Sequence, residues 1–119
     1  MSGDLSGLVS TTLASVRGGR GSLVMDLDGV PIDQATQDAG VDLESLAGEF
    51  AGLLREARIL AASLGWGAVR TFSVRARDRQ VVFAFGTDGL LLGVEAGPTG
   101  LCGQMRAAAI RAADRLEDG

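Results

Sequence analysis

The sequence predicts an α+β domain, and three observations carry that expectation. Short apolar runs are separated by Asp-Gly or Arg-Asp-Arg turn chemistry, a long stretch with helical apolar spacing divides them, and amphipathic patterns stand at both ends. The resulting order is α-β-β-α-β-β-β-α. Strands that follow one another at hairpin distance make an antiparallel sheet, and the helices are available for both of its faces.

Each element has its own signal. In residues 4–17, "DLSGLVSTTLASVR", Leu5, Leu8, Val9, Thr12, Leu13 and Val16 share a helical face, with Asp4 as cap and Gly18-Gly19 as the stop. Ser22–Leu27 and Val30–Ala35 read as strands around Asp28-Gly29, the preferred chemistry of a type I′ hairpin. Pro31 cannot donate to a ladder, so the second strand is expected at an edge.

Residues 42–64 form the best-specified element. Leu43, Leu46, Phe50, Leu53, Ala57, Leu60 and Leu64 step by three and four, widened by Ala47, Leu54 and Ala61. Asp42 and Gly65 cap the helix, and the stripe is expected to bury against the sheet. Opposite it lie Gly48, Ala51, Gly52, Ile59, Ala62 and Ser63, flanked by Glu49 and Glu56 and by Arg55 and Arg58. An interior Gly costs about 1 kcal/mol relative to Ala, and a solvated face is usually richer in long polar residues. Close packing of another element there and plain compositional bias both account for this face.

Ala68–Ala76, Gln80–Phe85 and Leu90–Ala96 follow as a three-stranded meander, turned by Arg77-Asp78-Arg79 and Thr87-Asp88-Gly89. Gly97-Pro98 breaks the chain, Thr99 is a plausible cap, and Leu101–Leu116 closes as an alanine-rich helix.

Composition bounds the function. A chain of 119 residues gives a one-domain prior, and 46% apolar with 22% charged residues reads as globular. No run approaches the ~18–20 apolar residues of a membrane span, and the N-terminus lacks a signal-peptide layout, so a cytoplasmic location is expected. The net charge of −4 and the dispersed basic residues argue against a nucleic-acid partner. His, Lys and Tyr are absent, which removes imidazole ligands, the P-loop lysine, Schiff bases and His-dependent triads. All eleven basic residues are Arg, which together with the eighteen Gly reads as base-composition bias.

"LVMDLDGVPID" raises a phosphatase reading, in which Asp26 would attack phosphorus and Asp28 would act as acid/base beside magnesium. That chemistry also needs a distal acidic pair and a parallel sheet, and the following elements form a meander. The two Asp residues are therefore read as turn chemistry. An EF-hand is excluded because Gly29 directly follows the second Asp. "RGGRGS" and "GPTGLCG" match neither dinucleotide-binding nor P-loop spacing. The lone Cys102 excludes an internal disulfide and is expected to be a buried apolar thiol. Trp66 is either a core or an interface aromatic.

The chain resembles a bacterial roadblock/LC7 domain of the MglB-like type over nearly its whole length. The resemblance rests on "SLVMDLDGVPID", "DLESLAGEFAGLL" and "VVFAFGTDGLLLGV" in that order. It implies a profilin-like, five-stranded antiparallel sheet of order 2-1-5-4-3, with the central helix on one face and the terminal helices on the other. It further implies homodimerisation through the third strands and central helices. Gly48, Ala51, Gly52, Ile59, Ala62, Val69, Thr71 and Ser73 are the interface candidates on that basis. A small Ras-like GTPase is the implied partner, with Glu49, Arg55, Glu56, Arg58 and Ile59 as candidate contacts. No catalytic residue, metal or cofactor is expected. An adaptor of the same fold and a profilin-like ligand-sensing module are the alternatives. A ligand pocket should show convergent polar groups, and the strands offer only Thr71, Ser73 and several Arg.

Overall fold

The computed structural model describes residues 5–116. Its elements are α1 (Leu5–Ala14), β1 (Gly19–Asp26), β2 (Pro31–Thr36), α2 (Leu43–Ser63), β3 (Thr71–Arg75), β4 (Gln80–Phe85), β5 (Leu90–Ala96) and α3 (Cys102–Leu116). They form one antiparallel sheet of order β2-β1-β5-β4-β3, with β2 and β3 at its edges. Pro31 starts an edge strand, where its missing N–H costs no ladder bond.

Strand alternation divides the core in two. Leu23, Met25, Val81, Phe83 and Leu91 face α2, which contributes Leu43, Ala47, Ala51 and Leu54. Val24, Val82, Ala84, Leu92, Val94 and Ala96 face α1 and α3. There α3 presents Met105 and four buried alanines, so its backbone lies close to the sheet. Gly93 in the central strand β5 is forced by packing. A Cβ there would stand 2.9 Å from both Leu23 and the Phe83 ring.

Local chemistry explains the ends. Asp42 caps α2, its Oδ1 accepting from the Ser45 N–H at 3.1 Å and its Oδ2 from the Ser45 hydroxyl at 2.8 Å. Those bonds hold the Asp42 carboxyl below its usual 3.8. A Schellman motif closes the helix: Trp66 N–H donates to Ala61 O, Gly65 N–H donates to Ala62 O, and Gly65 has φ +73°.

Several boundaries depart from expectation. The expected cap Asp4 lies outside the described residues, and α1 ends at Ala14 rather than 17. Thr99 does not cap α3, because the first helical bond runs from Met105 N–H to Leu101 O. The preceding loop is held instead by buried Gln80, whose Nε2 donates to Gly97 O and Gly100 O. β3 is shorter than Ala68–Ala76: Gly65 and Gly67 both take left-handed φ before it, and the pairing with β4 begins only where the Phe85 N–H donates to Arg70 O at 3.0 Å.

The two Asp-Gly turns also differ. Asp88 (φ 60°) and Gly89 (φ 76°) both have positive φ, as a type I′ turn requires. At Asp28-Gly29 only Gly29 does, so that turn is not type I′. There the Asp26 carboxylate accepts the N–H groups of Asp28 at 2.9 Å and Val30 at 3.0 Å, organising a wider turn. Both bonds fall on Asp26 Oδ1.

Candidate interaction surface on the central helix

The main correction concerns which side of α2 meets the sheet. The buried line runs Leu43, Ala47, Ala51, Leu54 and Ala61, while Leu53, Leu60 and Leu64 are half exposed or more. The sheet beneath already supplies large side chains, so the helix seats its small residues against them and leaves three leucines on its flank. Ala51 is accordingly not on an outer face. It is 3% exposed, beneath the β1–β2 turn. A Cβ added at Gly29 would lie 3.0 Å from the Ala51 Cβ and 3.0 Å from Ala47 O.

Other expected interface residues scatter. Gly48 and Gly52 are exposed, and a Cβ would meet nothing at the first and only an Arg55 nitrogen at 3.9 Å at the second. Ile59 and Ala62 border a groove beside Arg55. Val69 lies outside β3, in the segment leading to it. Thr71 and Ser73 lie on β3 and alternate with Phe72 and Val74, which pair with Phe83 and Val81 on the α2 side.

Two surfaces result. The first joins the leucine flank of α2 to β3. Phe50 bridges them, edge-on to Phe72 at 6.5 Å and tilted on Phe83 at 5.2 Å. Around this joint Leu53, Leu60, Leu64 and Val74 are exposed, and Trp66 at the helix end is 75% exposed. β3 is the last strand of the sheet, so among the described residues its outer backbone edge has no partner strand. Leu46, Leu53 and Leu60 recur every seven residues, the period of a seam facing another helix, and this was the signal available in the sequence.

The second surface lies across the helix. Two residues along an α-helix rotate by about 200°, so Arg55 and Arg58 stand nearly opposite Leu53 and Leu60. The Arg55 guanidinium donates to Leu27 O, and that of Arg58 lies 5.9 Å from the Phe85 ring centroid. Glu49 and Glu56 are exposed on the outer face between the two flanks.

Other polar clusters have structural roles. Arg20 reaches Asp38 at 2.6 Å and Glu95 at 3.4 Å. The Gly40 N–H first and Arg20 second hold the Asp38 carboxyl below its usual range. Cys102 is half-buried rather than buried, and Arg106 Nη2 approaches its sulfur at 3.4 Å. Among the described residues, no three His, Cys, Asp or Glu side chains are grouped to hold a metal. None of the described helices is long and apolar enough to cross a membrane.

A 2-1-5-4-3 sheet with one long helix on one face and two on the other defines the profilin-like α+β class with roadblock topology. The chain belongs to the roadblock/LC7 domain family, whose model matches residues 5–96. Its fold is similar to MglB of Myxococcus xanthus (18% identity, 98% of this chain and 94% of that one, TM-score 0.86). It is equally similar to a Roadblock/LC7 domain of Streptomyces avermitilis (19% identity, 97% and 96%, TM-score 0.84). An MglB in a tetrameric arrangement also matches (20% identity, 94% and 84%, TM-score 0.84). A comparison with curated proteins finds no match.

Proposed function

We propose that this chain is a cytoplasmic, non-enzymatic homodimer that binds a small Ras-like (MglA-like) GTPase and modulates its hydrolysis or localisation. The observation that carries the dimer is the uncovered leucine flank of α2 beside the unpaired edge of β3. Exposed leucines in a +7 row, continuous with an open strand edge, fit a second copy that adds its own β3 and lays its α2 alongside. This moves the interface from the small-residue face toward Leu53, Leu60, Leu64 and Val74, keeping Thr71 and Ser73 on the pairing strand.

Family membership and the likeness to MglB support the GTPase as partner. Regulation then operates by contact, with Glu49, Arg55, Glu56 and Arg58 on the part of α2 that dimerisation leaves open. Sedimentation equilibrium tests the dimer, and a monomer across the micromolar range would overturn it. Capture from source-cell extract, with GDP or a non-hydrolysable GTP analogue, tests the partner. Recovery of a small GTPase chiefly in the analogue arm, followed by altered turnover, supports a regulator. Binding without any change in turnover supports an adaptor of the same fold.

A further inference from the structure

The groove beside α2 has a chemistry of its own. It runs between the C-terminal half of the helix, residues 65–70 and the turn from β4 to β5, with a volume of about 960 Å³. That is near the upper end of the ~300–1,000 Å³ usual for ligand sites and far more than an inorganic anion fills. Leu27, Ile59 and Phe85 line it, and so do three arginines, Arg55, Arg58 and Arg70.

None of the three arginines makes a salt bridge among the described residues, whereas the whole chain carries a net charge of −4. The lining, with three Arg and the one acidic residue Asp88, thus has a charge balance opposite to that of the whole chain. Two of the three are already positioned, Arg55 by the Leu27 carbonyl and Arg58 by the Phe85 ring. Pre-positioned guanidinium forks lose less freedom on meeting a carboxylate, which they match in a two-bond geometry.

The form of the groove selects among anions. It is open to solvent, and along one wall Gly67, Ala68 and Val69 make no backbone hydrogen bond among the described residues. An extended polypeptide uses free backbone groups of that kind, as a compact anion does not. A nucleotide base would need an aromatic face, and Arg58 already lies over that of Phe85.

We propose that this groove binds an extended acidic segment of a partner protein, its carboxylates on Arg55, Arg58 and Arg70 and an apolar side chain against Leu27, Ile59 and Phe85. The proposal rests on the partner-surface reading above for Arg55 and Arg58, and it adds the chemistry of what docks. Because Leu53 and Leu60 occupy the other flank of α2, the helix contact of the proposed dimer leaves Arg55 and Arg58 uncovered.

The test is fluorescence anisotropy of the full chain with a labelled peptide of alternating Glu, Asp and Leu, against its Gln/Asn/Leu counterpart and against tripolyphosphate. The acidic peptide should bind saturably, about tenfold more tightly than the neutral one, and more weakly as salt rises. Arg55→Gln with Arg58→Gln should weaken it about tenfold or more. Arg70→Gln, which disturbs no described hydrogen bond, should weaken it severalfold, while the remote pair Arg106→Gln with Arg111→Gln should not. Equal binding of the neutral peptide, equal loss in the remote pair, or preference for tripolyphosphate would overturn the proposal. The GTPase reading fails separately: a chain that binds the peptide but leaves every captured GTPase unaffected loses that reading and keeps the groove.

Discussion

The two flanks of α2 both expose side chains, yet they ask for different partners. On one, Leu53, Leu60 and Leu64 leave apolar area in water beside an open strand edge. On the other, Arg55 and Arg58 are individually anchored and well solvated. Apolar surface in contact with water is a standing free-energy cost of about 25 cal/mol per Å², so the leucine flank favours a persistent interface. Charged groups tolerate water, so the arginine flank suits a reversible, salt-sensitive contact. One helix thereby separates assembly from recognition.

The largest expected effect breaks the first flank. Leu53→Glu with Leu60→Glu should dissociate the dimer, since each buried leucine is worth roughly 1.5–3 kcal/mol. Light scattering would read the change, and a double variant still at dimer mass would move the interface elsewhere. Acidic-peptide binding should survive in the resulting monomer.

A smaller effect reaches the second flank from behind. Gly29→Ala puts a Cβ 3.0 Å from Ala47 O at φ +84°, which should cost about 1–3 kcal/mol of stability. It should also loosen the Leu27 carbonyl that holds Arg55. Denaturant unfolding together with peptide affinity would register both, and a variant of full stability would mean that the turn shifts freely.

Gly52→Ala asks whether anything covers the face between the flanks. Its Cβ would meet no protein atom closer than Arg55 at 3.9 Å, so helix propensity alone predicts a gain of about 1 kcal/mol. A gain in a monomeric Leu53/Leu60 variant coupled with weaker assembly of the otherwise native chain would place a partner helix over Gly52. A gain in both would leave that face to solvent.

The smallest effect lies at the helix start. Asp42 has its carboxyl lowered from 3.8 by bonds made only in the folded chain. Its contribution is therefore complete above the unfolded value and is lost as pH falls through the lower folded one. Asp42→Asn keeps a capping oxygen but removes the titration, so its unfolding free energy should fall less steeply below about pH 4 than that of the unsubstituted chain. Identical slopes in urea titrations would remove Asp42 from the acid response.

Much of the architecture was legible in order. Apolar spacing and turn residues located all eight elements, with Asp42 and Gly65 at the ends of α2, because these signals are local. Asp26 was legible as turn chemistry, although its mechanism, a carboxylate bridging two N–H groups, differs from the expected paired positive φ. The candidate site was less legible. Spacing grouped the large apolar residues of α2 into one core stripe and the small ones into a docking face. Packing against Leu23, Met25 and Phe83 buries Ala47 of the expected stripe together with Ala51 of the expected docking face, and leaves Leu53, Leu60 and Leu64 of the stripe exposed. Arg70, Phe85 and Asp88 carried no signal pointing to one groove, since they come from different segments.

By itself, then, the sequence determined the α+β class, the succession of elements, the edge position of the Pro31 strand and the exclusion of His- and Lys-based chemistry. Those follow from hydrogen-bonding constraints, periodicity and composition, which act within a few residues or on the chain as a whole. Only the tertiary structure decided which flank of α2 meets the sheet, how far β3 extends and which arginines share a groove. Such choices depend on matching side-chain volumes between elements distant in sequence, and a helix with apolar residues on more than one side leaves that choice to the surface it packs against.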